Sequence, residues 1–197
     1  MPSARSFDPA TITAHGRWPA VAAGLAPATT VVWLVARRRL DASDRWAAAA
    51  MSVLTWHQFE EWVWPGGFYE WLNEDVFGSV ERDRPLDPRI GFLVNVPFGW
   101  GISVAATVAG ERVAAIPIAL CVSHLGNAAL HLGWAARHRR WDPGAVTAAT
   151  ILVPYAVVGL RRRIGRDKAP PTHQAVGIAA GALSAVGLFA TLRCRMR

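Results

Sequence analysis

Residues 46–64 read WAAAAMSVLTWHQFEEWVW, an apolar stretch interrupted by one histidine and two glutamates. The alanine, valine, leucine and tryptophan residues around that interruption are typical of a helix buried in a membrane. An ionisable side chain at the centre of a membrane helix costs about 2.5–3.5 kcal/mol on insertion scales. We therefore expect His57, Glu60 and Glu61 to face a protein interior, where such groups usually serve a function.

The rest of the chain repeats this apolar character. Its 197 residues are 52% hydrophobic, which is more than an ordinary soluble domain of this length contains. Segments of about 20 apolar residues are long enough to cross a bilayer as helices. The sequence therefore predicts an all-α fold, a polytopic transmembrane bundle of about six spanning helices. The predicted spans are Trp18–Ala36, Asp44–Trp64, Ile90–Gly110, Val113–Ala136, Pro143–Leu160 and His173–Leu192.

These spans form one predicted membrane-embedded domain, residues 18–192, between a polar N-terminal lead, residues 1–17, and a basic tail, residues 193–197. The net charge is +7, but the arginines cluster at the ends of the spans. That pattern is typical of anchors at anionic headgroups and argues against nucleic-acid binding. We expect an integral, multi-pass membrane protein whose partner is the lipid bilayer. Lys and Arg divide almost equally between the two sides, so the positive-inside rule leaves the orientation open.

A second polar stripe lies on the fourth span. His124, Asn127 and His131 are spaced so that they share one face of a helix, as His57, Glu60 and Glu61 do. The second and fourth spans run in the same direction, and each carries a histidine near its C-terminal end. Asn95 begins the third span on that same side. The sequence therefore predicts one polar cavity where the two stripes converge.

Imidazoles and carboxylates without a thiolate are suitable ligands for iron, zinc or manganese. The predicted ligands of a divalent metal are His57, Glu60, Glu61, His124 and His131. The predicted outer hydrogen-bond partners are Asn95 and Asn127. His57, Glu60 and Glu61 are also the candidate catalytic residues, with one glutamate acting as proton acceptor.

Iron is the favoured metal, and the predicted function is non-haem iron oxidative chemistry on a hydrophobic or amphiphilic, lipid-like small molecule. Zinc-activated water in a hydrolase is the next possibility. A metal-free isomerase or cyclase would use His57 with Glu60 or Glu61 as an acid–base pair. A proton-coupled transporter is a further alternative, which the small size and lack of internal repeats disfavour. The alternative without a function is that the polar side chains of the two stripes only form hydrogen bonds between helices.

The motif His57-Gln58-Phe59-Glu60-Glu61 resembles the pentapeptide that defines the HXXEE-domain family of small polytopic membrane proteins. Asn95, the stripe His124 to His131 and the stretch Trp141-Asp142-Pro143-Gly144-Ala145-Val146-Thr147 resemble that family's later motifs, and the resemblance spans residues 46–155. It implies an active site in a membrane protein and names no reaction. Asp142, at the start of the fifth span, opens on the side of the predicted cavity. Trp141-Asp142 stands where a Tyr-Asn pair is expected, however, which weakens any role assigned to Asp142.

Two further segments complete the sequence-based prediction. Phe68–Val80 mixes aromatic and acidic residues and is predicted to lie on the membrane surface, as a lid or a simple loop over the site. Gly177-x-x-x-Gly181 is a close-packing face, which serves either another helix of the bundle or a homo-oligomer. Cys121 and Cys194 form no metal-binding or disulfide pattern.

Overall fold

The computed structural model describes residues 16–81, 83–110, 112–165 and 168–196, so the predicted lead falls outside it except for residues 16 and 17. Its regular secondary structure is helical throughout the described chain. The α-helices are α1 Trp18–Ala36, α2 Ala42–Ala48, α3 Ala50–Trp62, α4 Phe68–Glu70, α5 Pro88–Leu93, α6 Gly101–Ala109, α7 Ala115–His138, α8 Ala145–Thr147, α9 Val153–Arg163 and α10 Pro171–Cys194. Three π-helical segments adjoin them: Trp71–Val76, Val94–Trp100 and Ala148–Leu152.

Five helical stretches among the described residues are long and apolar enough to cross a membrane. They are Trp18–Ala36, Pro88–Ala109, Ala115–His138, Ala145–Arg163 and Pro171–Cys194. The all-α prediction is confirmed, and the first span has the predicted bounds. The predicted second span is divided at Ala49, whose N–H bonds to the carbonyl of Trp46 at 3.2 Å, only three residues back. Its two pieces, α2 and α3, replace the single predicted helix.

Helix α7 lies at the centre of the bundle and packs against α6, α9 and α10, while α3 packs against α1 and α6. Glycines bring α10 against α7: a Cβ at Gly181 would lie 2.5 Å from the carbonyl oxygen of Ala119, and one at Gly177 would lie 2.7 Å from that of Ala115. The Gly177-x-x-x-Gly181 face is therefore used for packing within the chain.

Prolines accompany two of the π-helical segments. Pro97 lies inside Val94–Trp100, and Pro154 lies two residues after the end of Ala148–Leu152. Proline lacks the N–H of the regular helical ladder and crowds the preceding turn, which favours a local widening of the helix. The π-helical segment Ala148–Leu152 directly follows α8, and both α8 and this segment contact α3. Such π-bulges frequently lie at functional sites.

Candidate functional site

Three buried side chains from α3 and α7 converge to form what we call the central cluster: His57, Glu61 and His131. Glu61 Oε1 lies 3.2 Å from Nε2 of His57 and 3.2 Å from Nε2 of His131. One potential ligand atom from each of the three residues lies within 4.8 Å of the other two. The two imidazoles are 0% exposed and Glu61 is 4% exposed. The predicted convergence of the second and fourth spans is thus present in the structure.

The second nitrogen of each imidazole is held by a residue of the α7–α8 region. Nδ1 of His131 lies 2.5 Å from Oδ1 of Asp142, and Nδ1 of His57 lies 2.8 Å from Oγ1 of Thr147. A carboxylate accepts hydrogen bonds and does not donate them, so Asp142 fixes the proton of His131 on Nδ1. A neutral His131 then has the lone pair of Nε2 directed at the cluster, whereas a charged His131 donates from Nε2 to Oε1 of Glu61.

Glu60 fixes the proton of His57 in the same way, through Thr147. The Glu60 carboxylate accepts hydrogen bonds from the backbone N–H of Val146 at 3.1 Å and from both the N–H and the hydroxyl of Thr147, at 2.6 and 2.5 Å. Because the hydroxyl hydrogen is donated to Glu60, the Thr147 oxygen acts as acceptor for the Nδ1–H of His57. Nε2 of His57 is therefore also without a proton.

Two amide or indole N–H groups border the cluster. Trp62 Nε1 donates to Oε2 of Glu61 at 3.1 Å, and Nδ2 of Asn127 lies 2.9 Å from Nε2 of His57. Asn127 was predicted as an outer hydrogen-bond partner, and it contacts His57 directly. Its N–H occupies the lone pair that a cation would use, so binding of a cation there requires this amide to turn away.

An aromatic cover closes one side of the cluster. Trp71 stacks on the ring of His131 with centroids 4.8 Å apart and planes 13° apart, and Phe68 lies 5.9 Å from the same ring. These residues belong to the segment predicted as an amphipathic piece, and they lie over His131. Burial and the nearby carboxylates of Asp87, Asp83 and Glu70 raise the pKa of the adjoining Tyr69 phenol, so it stays neutral.

Two of the five predicted ligands lie apart from the central cluster. Both carboxylate oxygens of Glu60 accept hydrogen bonds from residues 146 and 147. His124 lies two turns, about 10 Å, before His131 along α7. It is 5% exposed and contacts Tyr155 edge to face at 5.8 Å. A shared helix face is therefore not a shared site, because one face of a helix spans several turns.

Asn95 is also separate from the central cluster. Its Oδ1 accepts from Nε2 of Gln58 at 2.9 Å, and its own Nδ2 donates to the carbonyl of Gly91 at 2.9 Å. Gln58 in turn accepts from Nε1 of Trp100 at 2.8 Å. This partly buried amide network joins α3 to the third span beside the motif. Asn95 thus positions α3 through Gln58, whereas direct contact with the predicted ligands was expected.

Comparison with known families places these residues in context. A family model described as a protein of unknown function with HXXEE motif matches residues 46–159. The chain belongs to the HXXEE family. No curated protein and no solved structure matches the chain.

The matched HXXEE region contains the whole central cluster and the residues that orient it. Both Thr147 and Asp142 lie in the motif quoted from the sequence, but Thr147 was given no role there and the role of Asp142 was weakened by its departure from the family pattern. Gly144 was also passed over: it has φ +120°, and a Cβ there would lie 2.6 Å from Cε1 of His131. The Pro-Gly turn therefore makes room for the imidazole as well as starting α8.

Proposed function

We propose that this HXXEE protein is a multi-pass integral membrane enzyme that binds a divalent metal at His57, Glu61 and His131. The five long apolar helices support the membrane placement. One observation carries the metal proposal: two imidazole Nε2 atoms and a carboxylate oxygen converge, while both Nδ1 atoms are held by outer partners. Metal-binding histidines characteristically donate their other ring N–H in this way.

The two distances from the Glu61 carboxylate to the imidazoles fit a metal. Two ligands about 2.1 Å from a common ion lie about 3.0–3.4 Å apart, between right-angle and tetrahedral geometry. Both separations between Glu61 Oε1 and an imidazole Nε2 are 3.2 Å. Three converging acceptor atoms without a cation or protons between them would repel one another. A shared positive charge relieves that repulsion in a site that water does not reach.

The ligand set favours iron over zinc. Two histidines and one carboxylate with open positions are typical of non-haem Fe(II) oxygenases, although a zinc hydrolase can use the same residues. A bound iron would supply oxidative chemistry, and a bound zinc would supply an activated water. Glu60 is excluded from the proposed ligand set because its two oxygens already accept three hydrogen bonds. It is assigned the role of orienting His57.

The surroundings of the cluster support an amphiphilic or lipid-like small molecule as substrate. Trp62, Phe68 and Trp71 place apolar aromatic rings beside the two ligands Glu61 and His131. These rings keep water from the site and offer an apolar contact surface to a hydrocarbon chain. A water-soluble polar substrate would find no comparable set of hydrogen-bonding groups there.

Metal analysis of detergent-purified protein tests the proposal. After reconstitution with Fe(II), Zn(II) or Mn(II), we expect about one equivalent in the wild type and loss of that metal in His131→Ala and Glu61→Gln. His138→Ala is the matched control, because His138 lies on the same helix and stacks on Trp134 outside the cluster. His124→Ala should also retain the metal. Wild-type protein that is folded but binds none of the three metals would refute the proposal.

A metal-free acid–base enzyme is the second candidate, and the Asn127 contact favours it. Nε2 of His57 already has a hydrogen-bond donor at 2.9 Å, which suits a neutral imidazole acting as a base. Glu61 Oε1 is within hydrogen-bonding distance of Nε2 of both imidazoles, so it would accept a hydrogen bond from whichever imidazole had taken a proton from the substrate. Such an enzyme would isomerise or cyclise its substrate and would remain active in chelator, whereas the metal enzyme would lose activity.

A further inference from the structure

The last turns of α7 and the loop after it enclose a groove on the outside of the bundle. The groove has a volume of about 360 Å³ and is lined by Leu132, Ala135, Ala136, Arg139, Arg140 and Trp141. Its lining is apolar except for the two arginines. Trp141 is 68% exposed beside it. In a helix that crosses the membrane, this end lies at the depth of the lipid headgroups, where tryptophan and arginine are enriched.

Arg139 occupies a backbone position that normally belongs to glycine. It ends α7 in the left-handed conformation, with φ 53° and ψ 34°. The other positive-φ residues of the described chain are all glycines: Gly66, Gly67, Gly78, Gly110, Gly144 and Gly165. Glycine is favoured at this end of a helix because a Cβ is strained there. The backbone therefore gains nothing from arginine, and the reason for it lies in the side chain.

The two arginines of the groove differ in their charge environment. Arg140 is paired with Asp75, with 2.6 Å between Nη2 and Oδ2, and its guanidinium lies 5.1 Å from the centre of the Trp134 ring. For Arg139 no carboxylate partner is found in the described chain. The rim of the groove thus carries one uncompensated positive charge above an apolar floor. An amphiphile with an anionic head and a hydrocarbon tail is complementary to that combination.

We propose that this groove binds one anionic phospholipid of the bilayer. The phosphate lies against the guanidinium of Arg139, and an acyl chain lies along Leu132, Ala135 and Trp141. The proposal rests on the membrane placement proposed above and is independent of the metal. No residue of the central cluster or of its aromatic cover lines the groove, so the bound lipid is assigned as a structural partner and not as the substrate.

The test is retention of lipid by purified protein in mixed phosphatidylglycerol and phosphatidylcholine micelles, measured by native mass spectrometry. We expect the wild type to retain one phosphatidylglycerol in preference to phosphatidylcholine. Arg139→Gly should lower that retention about fivefold, the usual effect of one basic residue near an anionic surface. The variant relieves backbone strain, so its thermal stability and metal content should be unchanged or higher, which separates lost binding from misfolding.

Two further variants isolate the groove. Ala135→Phe should fill it and reduce retention of both lipids with the charge left in place. Arg38→Gln, in the basic run after α1, should leave retention unchanged. Equal losses in Arg38→Gln and Arg139→Gly would mean general attraction of anionic lipid to basic residues and would overturn the proposal. Full retention in Arg139→Gly or in Ala135→Phe would overturn it as well.

Discussion

Thr147→Val removes one hydroxyl and preserves most of the side-chain shape, so it tests how the central cluster is oriented. The Nδ1–H of His57 loses its acceptor at 2.8 Å. Glu60 loses the hydroxyl donor and retains the backbone N–H groups of residues 146 and 147. The anchor between α3 and α8 therefore persists. His57 becomes free to carry its proton on Nε2, where it cannot bind a metal.

The expected effect is a loss of metal affinity of about 10- to 100-fold, the usual result of removing a partner behind a metal-binding histidine. That loss corresponds to about 1.4–2.7 kcal/mol. An independent estimate agrees, because a buried donor left without its acceptor costs about 1–3 kcal/mol. The imidazole avoids this cost only by changing tautomer, and that change withdraws the lone pair from the cluster.

The assay is a competition titration of purified protein against a fluorescent chelator, with the thermal stability of the metal-free protein measured in parallel. Thr147→Ser is the matched control: it retains the hydroxyl and should bind within a few-fold of the wild type. Wild-type affinity in folded Thr147→Val would refute the assignment of Thr147 as the residue that sets the tautomer. An equal loss in Thr147→Ser would show that packing of the methyl group matters, and not the hydroxyl.

Four other substitutions, the last of them a control, have defined outcomes. Asp142→Asn retains an acceptor for His131 but loses the negative charge, so the same titration should show about tenfold weaker metal binding. Gly144→Ala should abolish metal binding, because its Cβ would lie 2.6 Å from Cε1 of His131 and its φ is +120°. Gly181→Ala should lower the free energy of unfolding by about 1–3 kcal/mol through overpacking against α7, as measured by denaturant titration. Gly187→Ala, with open space around the glycine, should leave stability unchanged or slightly higher.

Much of the fold could be predicted from the sequence because membrane helices are defined by length and apolarity. The first span, Trp18–Ala36, has the predicted bounds for this reason. The break at Ala49 could not be foreseen, since alanine is the strongest helix former and lies in an alanine run. The break comes three residues after Trp46, which is held by tertiary contacts. Nε1 of Trp46 donates to the carbonyl of Tyr155 at 2.9 Å, and the Trp46 indole stacks on the Tyr155 ring.

The three residues of the central cluster were among the five predicted ligands, but the sequence did not distinguish them from Glu60 and His124. Helical periodicity identified a face of α3 and a face of α7, and His57, Glu61 and His131 do meet there. Periodicity does not show which groups oppose each side chain. The Glu60 carboxylate accepts hydrogen bonds from the backbone N–H groups of residues 146 and 147. Every residue except proline has such an N–H group, so a pattern of side chains does not predict this contact. Main-chain donors at the start of a helix attract a carboxylate as effectively as a side chain does.

The spacing of the HXXEE motif gives its two adjacent glutamates different tasks. Neighbouring residues on a helix point about 100° apart, so Glu60 and Glu61 reach opposite sides of the His57 imidazole. Glu61 meets Nε2 directly at 3.2 Å, while Glu60 reaches Nδ1 through the Thr147 hydroxyl. Glu61→Gln should therefore abolish metal binding, whereas Glu60→Gln should weaken it by about 10- to 100-fold and also loosen the contact between α3 and α8. Chelator competition, combined with thermal unfolding of the metal-free proteins, distinguishes the two variants. If both variants lost metal binding completely and neither changed the thermal stability of the metal-free protein, the two glutamates would be equivalent ligands. The different roles inferred from their hydrogen bonds would then be wrong.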